Sequence, residues 1–306
     1  MTLRIATHNL LDFFEPRPEM TPGWLEAKLA FVAANLRRAD ADVVALQEVG
    51  SEDLVRRLVE SEIPELRYRH VAFGPGDKRG IRNAILSRLP VLETHVHAAT
   101  SLKFPRFVDG DPEPFGERIP LRRPLVHARV QASFGALDVI TLHFKSKLGR
   151  HMQDEAGQDI LDASARGYAE AQLRSLVLRS AEALFVRGLV DGLLTDGHDK
   201  LVVLGDFNDT LDSLPVQIVR GTGRDLDPAL VLEPAAARVP EERRFSTRHG
   251  SRPQLIDHVL LSPALAARLQ ACEIFNEALR DHGPYDPDAP PATDSDHAAV
   301  LATFGT

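Results

Sequence analysis

Two short segments carry side chains that could work on a phosphate. Leu204-Gly205-Asp206-Phe207-Asn208-Asp209 sets an acid and an amide two residues apart, and Asp294-Ser295-Asp296-His297 sets an acid beside an imidazole. The apolar run Leu201-Val202-Val203-Leu204 stops at the first, and Ala298-Ala299-Val300-Leu301 follows the second. Such runs read as buried strands. A carboxylate at the end of one loses hydration unless it is paired or binds a cation. The arrangement recurs: Asn9 follows Leu3-Arg4-Ile5-Ala6, Glu48 follows Val43-Val44-Ala45-Leu46, His143 follows Val139-Ile140-Thr141-Leu142, and Asp257 lies within Leu255–Leu261. Six core strands would deliver Asn, Glu, His, Asp/Asn, Asp and Asp/His, a set able to bind a hard cation and manage protons around a phosphate.

Each residue type suggests a part. Hard divalent cations take oxygen ligands, and Mg²⁺ keeps few carboxylates and several waters. Glu48 is the first expected ligand, with Asn9 and Asp296 as neighbours. In an extended segment Asp206 and Asn208 point to one side, where Asp206 would orient a water and Asn208 donate to a phosphate oxygen. A turn is the other reading, because Gly, Asp and Asn favour turns. Of the 12 histidines, His143 and His297 stand out. A carboxylate such as Asp257 can fix the His297 tautomer and raise its basicity. His8, His95, His97, His127, His198 and His282 read as surface or packing residues. Arg82 and Asn83 close a basic turn, which is either solvated or a phosphate grip, since Arg binds phosphate through paired donors. Lys145 and Lys147 would add positive charge near an anion, and Arg106, Arg118, Arg122 and Arg123 would add to an anion-binding rim.

The elements that must position these groups are partly visible. Trp24 to Ala39 has helical periodicity, and Ser51-Glu52-Asp53 opens a helix to about residue 60. Asn83 to Ser87 reads as a strand. Residues 100–124, with five prolines, read as a long loop. Val126 to Ala132 and Ala136 to Phe144 suggest a hairpin around Phe134-Gly135, and residues 145–162 a polar excursion beside His143. Ala163 to Leu194 is the longest helical stretch, with an interruption expected near Gly188. Residues 221–254 read as irregular, and Asp281 to Ser295 as a Pro- and Asp-rich loop. Strands broken by helices and long loops indicate α/β layers. The motifs span Asn9 to His297, so one domain over residues 1–306 is expected.

Composition narrows the classes. A hydrophobic content of 43% is ample for a large core. No apolar run reaches the roughly 18 residues of a membrane span, and no basic-then-apolar leader is present. The single Cys272 excludes an intrachain disulfide and fits a reducing compartment, so a cytoplasmic location is expected. The net charge of −8 argues against a generally basic nucleic-acid binder, but leaves room for a local basic cleft.

The ordered set Thr-His-Asn-Leu, Leu-Gln-Glu-Val, Asn-Ala-Ile-Leu-Ser-Arg, His-Phe-Lys-Ser-Lys, Gly-Asp-Phe-Asn-Asp, Ile-Asp-His-Val-Leu and Ser-Asp-His resembles the endonuclease/exonuclease/phosphatase superfamily over nearly the whole chain. Its His-Phe-Lys-Ser-Lys segment looks most like bacterial nuclease-type members. The resemblance implies a four-layer α/β/β/α sandwich with two central mixed sheets, and Mg²⁺- or Mn²⁺-dependent phosphoester hydrolysis. By matching motifs it places Asn9, Glu48 and Asp296 at the principal metal. It assigns Asp206 and Asn208 to orienting water and phosphate and to holding a second metal, with His297 counted among the metal ligands. His297 paired with Asp257 would be the central catalytic histidine, and His143 would stabilise the phosphate. Two departures accompany it. No Tyr stands where abasic-site enzymes use one, His143 serving instead, and Arg82 takes the place of the family's usual small residue.

The leading expectation is a phosphodiesterase, plausibly a nuclease, acting on nucleic acid or a small phosphodiester. A phosphomonoesterase or lipid-headgroup phosphodiesterase on the same scaffold is the alternative within enzymes. A non-catalytic binding module is the alternative of another class. Oligomeric state is not legible.

Overall fold

Strand alternation decides which side chains meet at the centre of this molecule. The computed structural model describes residues 2–16, 20–113, 116, 119–223, 227–250, 252–283 and 291–305. From the N-terminus, β1 (Thr2–Phe13), α1 (Trp24–Ala39), β2 (Val43–Val49) and α2 (Glu52–Arg57) are followed by β3 (His70–Phe73), β4 (Arg82–Ser87) and β5 (Val91–His97). A long loop leads to β6 (Leu125–Ala132), β7 (Gly135–His143), the short pair β8 (Met152–Gln153) and β9 (Asp159–Ile160), and α3 (Ala165–Thr195). Then come β10 (Leu201–Asp206), α4 (Leu214–Arg220), β11 (Glu233–Pro234), β12 (Thr247–His249), β13 (Arg252–Gln254), β14 (Asp257–Leu261), α5 (Pro263–Ala266), β15 (Leu269–Ile274) and β16 (Val300–Gly305).

Two six-stranded mixed sheets form, in the orders β15-β16-β1-β2-β4-β3 and β11-β14-β10-β7-β6-β5. β1 is parallel to β2 and antiparallel to β16, and β10 is parallel to β7 and antiparallel to β14. Alternate residues of both sheets, among them Ile5, Ala45, Val139, Leu204, Val259 and Val300, pack into one inner core. The opposite residues of the first sheet pack with Leu29, Val32 and Leu36 of α1, and those of the second with Ala183, Val186 and Val190 of α3. The result is the four-layer α/β/β/α sandwich that the resemblance implies.

Most expected elements form. Ser51 caps α2 by accepting from the Leu54 N–H at 3.1 Å, and the chain then continues as a π-helical turn over Leu58–Glu62. The expected interruption of α3 does not occur. Gly188 is exposed, and one glycine costs only about 1 kcal/mol in a helix, while Ala183, Val186 and Val190 stay buried on the sheet. Edge strands β5 and β15 were not expected, because their exposed faces interrupt any apolar run. No described helix is long and apolar enough to cross a membrane. Arg118 and positions 284–290 of the Asp281–Ser295 loop lie outside the described residues.

Candidate active site

The inward-facing positions of β1, β7, β10 and β14 change from apolar to polar at one end of the inner core. On β1, Leu3 and Ile5 give way to Thr7 and Asn9. On β7, Val139 gives way to Thr141 and His143, and on β10 Leu204 gives way to Asp206. Asp257 opens β14, directly opposite Asp206, which in turn neighbours His143. Below them Thr7 Oγ1 donates to Gln47 Oε1 at 3.1 Å, and Gln47 Nε2 donates to Thr141 Oγ1 at 2.9 Å, tying the first sheet to the second. In the sequence Gln47 appears only as the residue before Glu48 in Leu-Gln-Glu-Val. Its role was recoverable only from knowing that the two sheets face each other here.

Glu48 arrives differently. By alternation it would follow Val44 and Leu46 toward the α1 layer. Its backbone is left-handed, φ 59°, and the β2–β4 register shifts there. This bulge turns the carboxylate inward, where Oε1 accepts from Asn9 Nδ2 at 3.3 Å and Oε2 accepts from the Asp12 N–H at 3.1 Å. Left-handed non-glycine residues are costly and concentrate at functional sites.

Asn9 Nδ2 also donates to Asp206 Oδ2 at 2.9 Å, while its Oδ1 accepts from the Leu11 N–H at 3.0 Å. Asn9 thus bridges two carboxylates. Asp206 and Asn208 are related by a turn, not by an extended segment. Asn208 has φ 53°, its N–H donates to Asp206 Oδ1 at 2.8 Å, and its Nδ2 donates to Asp206 Oδ2 at 3.0 Å and to the Phe144 carbonyl at 3.1 Å. Gly205 makes this possible. At φ 138° it lies against β7 so closely that a Cβ would collide with the Leu142 carbonyl oxygen.

His297 Nδ1 lies 2.8 Å from Asp257 Oδ2, and Nε2 lies 4.0 Å from Asp206 Oδ2 and 3.9 Å from Asp296 Oδ1. Ser295 fixes the approach, donating to the Asn9 carbonyl at 2.8 Å and accepting from the His297 N–H at 3.0 Å. His8, set aside as a packing residue, is buried and bonds through Nε2 to the His297 carbonyl at 3.2 Å. On α1, Trp24 Nε1 donates to the Pro291 carbonyl and buried Lys28 to the Asp294 carbonyl, at 2.8 and 2.6 Å.

Electrostatics separates the two central histidines. Burial opposes charging His297, but Asp257 and Asp206 outweigh it and hold the imidazolium well above its ordinary value. His143 is pushed well below, by burial first and then by Arg123, with Arg122 and Arg79 adding to it. Its Nε2 lies 3.4 Å from Asp206 Oδ2 and 3.9 Å from Glu48 Oε1, and its buried Nδ1 has no partner among the described residues. Burial raises the Asp206 carboxyl to about 7 against the pull of His297. The arrangement joins a neutral imidazole, an imidazolium and four carboxylates, Glu48, Asp206, Asp257 and Asp296.

The profile of the Endonuclease/Exonuclease/phosphatase family matches residues 6–297. The chain belongs to this family. Solved endonuclease/exonuclease/phosphatase structures share the fold. Truncated Caenorhabditis elegans TDP2 is similar over 100% of this chain and 98% of its own, with a TM-score of 0.59 and 14% identity. An AP endonuclease from Archaeoglobus fulgidus matches over 99% of this chain and 100% of its own, with a TM-score of 0.57 and 17% identity. The 3′ phosphatase NExo from Neisseria, solved bound to a product DNA hairpin, matches over the same shares, with a TM-score of 0.55 and 21% identity. No curated protein matches the chain.

Within this family member, three expected substrate contacts are occupied by the protein itself. The Arg82 guanidinium donates to the Gly50 and Gly80 carbonyls and lies 5.7 Å from the Phe73 ring centre, so it clamps its own turn. Asn83 is buried and donates to the Pro124 carbonyl at 3.1 Å. Lys145 Nζ donates to Ser146 and to the Leu148 carbonyl, at 2.7 to 3.1 Å, and burial moves its ammonium down to about 8. Lys147 pairs with Asp209 at 2.9 Å. Of the arginine rim, Arg123 is buried, with Nη1 donating to the Phe144 carbonyl at 3.0 Å, and exposed Arg106 lies 3.9 Å from Glu113. Arg122 keeps part of its side chain exposed, 4.0 Å from Asp77.

Proposed function

We propose that this protein is a divalent-cation-dependent phosphodiester hydrolase, acting on nucleic acid or a small phosphodiester. The observation that carries the reading is the placement of His297. Asp257 grips one ring nitrogen at 2.8 Å, and the other faces Asp206 and Asp296 at 4.0 and 3.9 Å without bonding to either.

The donor set fits a hard cation. Four carboxylates converge, and Asp257 Oδ1 and Asp296 Oδ1 are buried without hydrogen-bond partners among the described residues. Asp206, Asp257 and His297 each bring one ligand atom within 4.8 Å of the others. The His297–Asp257 bond makes that trio a proton-handling unit, so Glu48 and Asp296, beside Asn9, are the better candidates for the principal ligands. Bound Mg²⁺ or Mn²⁺ would supply positive charge to a phosphoryl oxygen and to the charge that develops on it.

The protein's own groups divide the remaining work. Asp206, held by Asn9 and Asn208 and raised to about 7, takes a proton from an attacking water near neutral pH. Neutral His143, with its hydrogen on Nε2, donates toward the phosphate. Doubly protonated His297 presents Nε2–H to the phosphate from the other side. Preorganised donors of this kind stabilise charge as it develops.

The test is hydrolysis of bis-nitrophenyl phosphate and mononitrophenyl phosphate with Mg²⁺ or Mn²⁺, before and after chelation. Cation-dependent turnover with a higher kcat/KM for the diester is expected. A clear preference for the monoester would move the reading to a phosphatase, the activity named for the Neisseria relative. No turnover on these esters, nucleic acids or phospholipid would leave a binding module.

A further inference from the structure

A second group of imidazoles lies on the opposite face of the second sheet from His143. On β5, His95 and His97 are two residues apart and share a face, and His95 pairs directly with His127 of β6. Val126, Ala128 and Val130 of β6 fill the inner core, so His127 and its two neighbours face outward. The three ring centres are 5.4, 5.5 and 6.0 Å apart. Three imidazoles bound tetrahedrally to one ion through bonds of about 2.0–2.1 Å would have ring centres about 5 Å apart.

Two of the rings already aim nitrogens at each other. His97 Nε2 lies 3.2 Å from His127 Nδ1. Two nitrogens on one tetrahedral ion would be about 3.3 Å apart. His127 Nε2 faces buried Asp138 Oδ1 at 2.8 Å, and donation there leaves the Nδ1 lone pair pointing at His97. A carboxylate behind a histidine that fixes its tautomer and raises its basicity is the usual support of a metal-binding imidazole. The other Asp138 oxygen is 3.1 Å from His198 Nδ1. Burial, and then His127 and His95, bring the His97 imidazole down to about 4, so it stands neutral at pH 7.

We propose that His95, His97 and His127 form a binding site for a borderline divalent cation such as Zn²⁺, distinct from the hydrolytic site. The cation sits to one side of the line between His97 Nε2 and His127 Nδ1, both rings tilting toward it, and displaces the hydrogen now between them, which moves to His97 Nδ1. His95 completes the trio by rotating its ring. It is 50% exposed and its present partner is the surface carboxylate of Glu93, 3.2 Å away, so the rotation disrupts no core packing. Glu93 or a water fills the fourth position. Imidazole ligands suit Zn²⁺, Ni²⁺ and Cu²⁺ far better than Mg²⁺.

The experiment is calorimetric titration of the metal-stripped full chain with Zn²⁺ in a large excess of Mg²⁺, which occupies the hard-cation site. Parent and Glu48→Gln proteins are expected to bind one Zn²⁺ through this cluster. His97→Ala and His95→Ala should each weaken that binding at least about tenfold, the scale seen when even supporting residues of a metal site are removed. Co²⁺ should give the absorption of a nitrogen-rich four-coordinate site in the parent and lose it in His97→Ala. Both variants lie on an edge strand, which keeps the test open even where His127→Ala, buried against Asp138, fails to fold. Equal Zn²⁺ affinity in parent and His97→Ala, or no Zn²⁺ binding above the Mg²⁺ background, would overturn the proposal and leave the trio as a hydrogen-bonded brace of the sheet edge.

Discussion

Asp257 meets His297 across 40 residues of sequence, its Oδ2 2.8 Å from the ring Nδ1, with no exposed surface on the carboxylate. Ser246 Oγ accepts from the Asp257 N–H at 3.1 Å and sets where that strand begins. Asp257→Asn should therefore lower turnover through His297. A loss of at least about a hundredfold is expected for His297→Ala and for Asp206→Asn, the lower range for a positioned proton-transfer group. The double variant Asp257→Asn/His297→Ala should lose little more than His297→Ala alone, because members of one unit are not additive. Steady-state kcat on the preferred ester decides this, and a parent-like rate in His297→Ala would remove the histidine from the reaction.

Glu48→Gln keeps the shape of the side chain while removing one of the converging charges. Its dependence on Mg²⁺ should shift to higher concentration while the thermal melt of the metal-free protein stays close to the parent's. The comparison is a metal titration of activity beside a melt without metal. An unchanged titration would take Glu48 out of the cation's coordination.

Gly205→Ala tests the strand that carries Asp206. Alanine cannot easily hold φ 138°, and its Cβ would meet the Leu142 carbonyl oxygen of the neighbouring strand. A loss of at least about 2 kcal/mol in urea denaturation is expected, within the range for a residue forced into a sparsely populated backbone region. Stability equal to the parent's would mean that β7 and β10 can separate without cost.

Glu277 gives a pH signature remote from the site. Hydrogen bonds from Arg38, against a smaller opposing effect of burial, and then from Arg243 hold its carboxyl down at about 2. The folded value lies below the unfolded one of about 4.3. Between the two, the unfolded chain takes up the proton first, so the contribution is complete above the unfolded value and is lost as pH falls toward 2. The stability difference between parent and Glu277→Gln should be present at pH 7 and shrink from pH 4.5 downward. Both guanidiniums are solvent-exposed, so added salt should also reduce it.

The identities of the central residues were legible because an inward-facing strand position that turns from Val or Leu to Asp, Asn or His is conspicuous. Thr7-Asn9, Thr141-His143 and Leu204-Asp206 all follow that rule. Glu48 breaks it: only the bulge at φ 59° brings it inward, and no periodicity reports a bulge. The same limit applies to Asn208, where the turn reading prevailed over the extended one. The basic residues were the least legible. Arg82, Lys145 and Arg123 look like anion ligands in sequence, yet each has backbone carbonyls to satisfy, and that demand appears only once the loops are folded. The histidines of β5 were set aside because lone imidazoles carry little information, and their grouping depends on the cross-strand register.

The bonds from Ser295 to the Asn9 carbonyl and from His8 to the His297 carbonyl span 286 and 289 residues. They mean that the centre closes only when both ends of the chain are in place. A chain emerging from the ribosome can pair β1 with β2 early, but the imidazolium and its neighbouring acid arrive only after residue 297 has been made. Products ending before residue 296 would retain Glu48, His143, Asp206 and Asp257 without Asp296 and His297. On the function proposed above, synthesis would have to reach the last strand before a copy of the chain could act on a phosphoester.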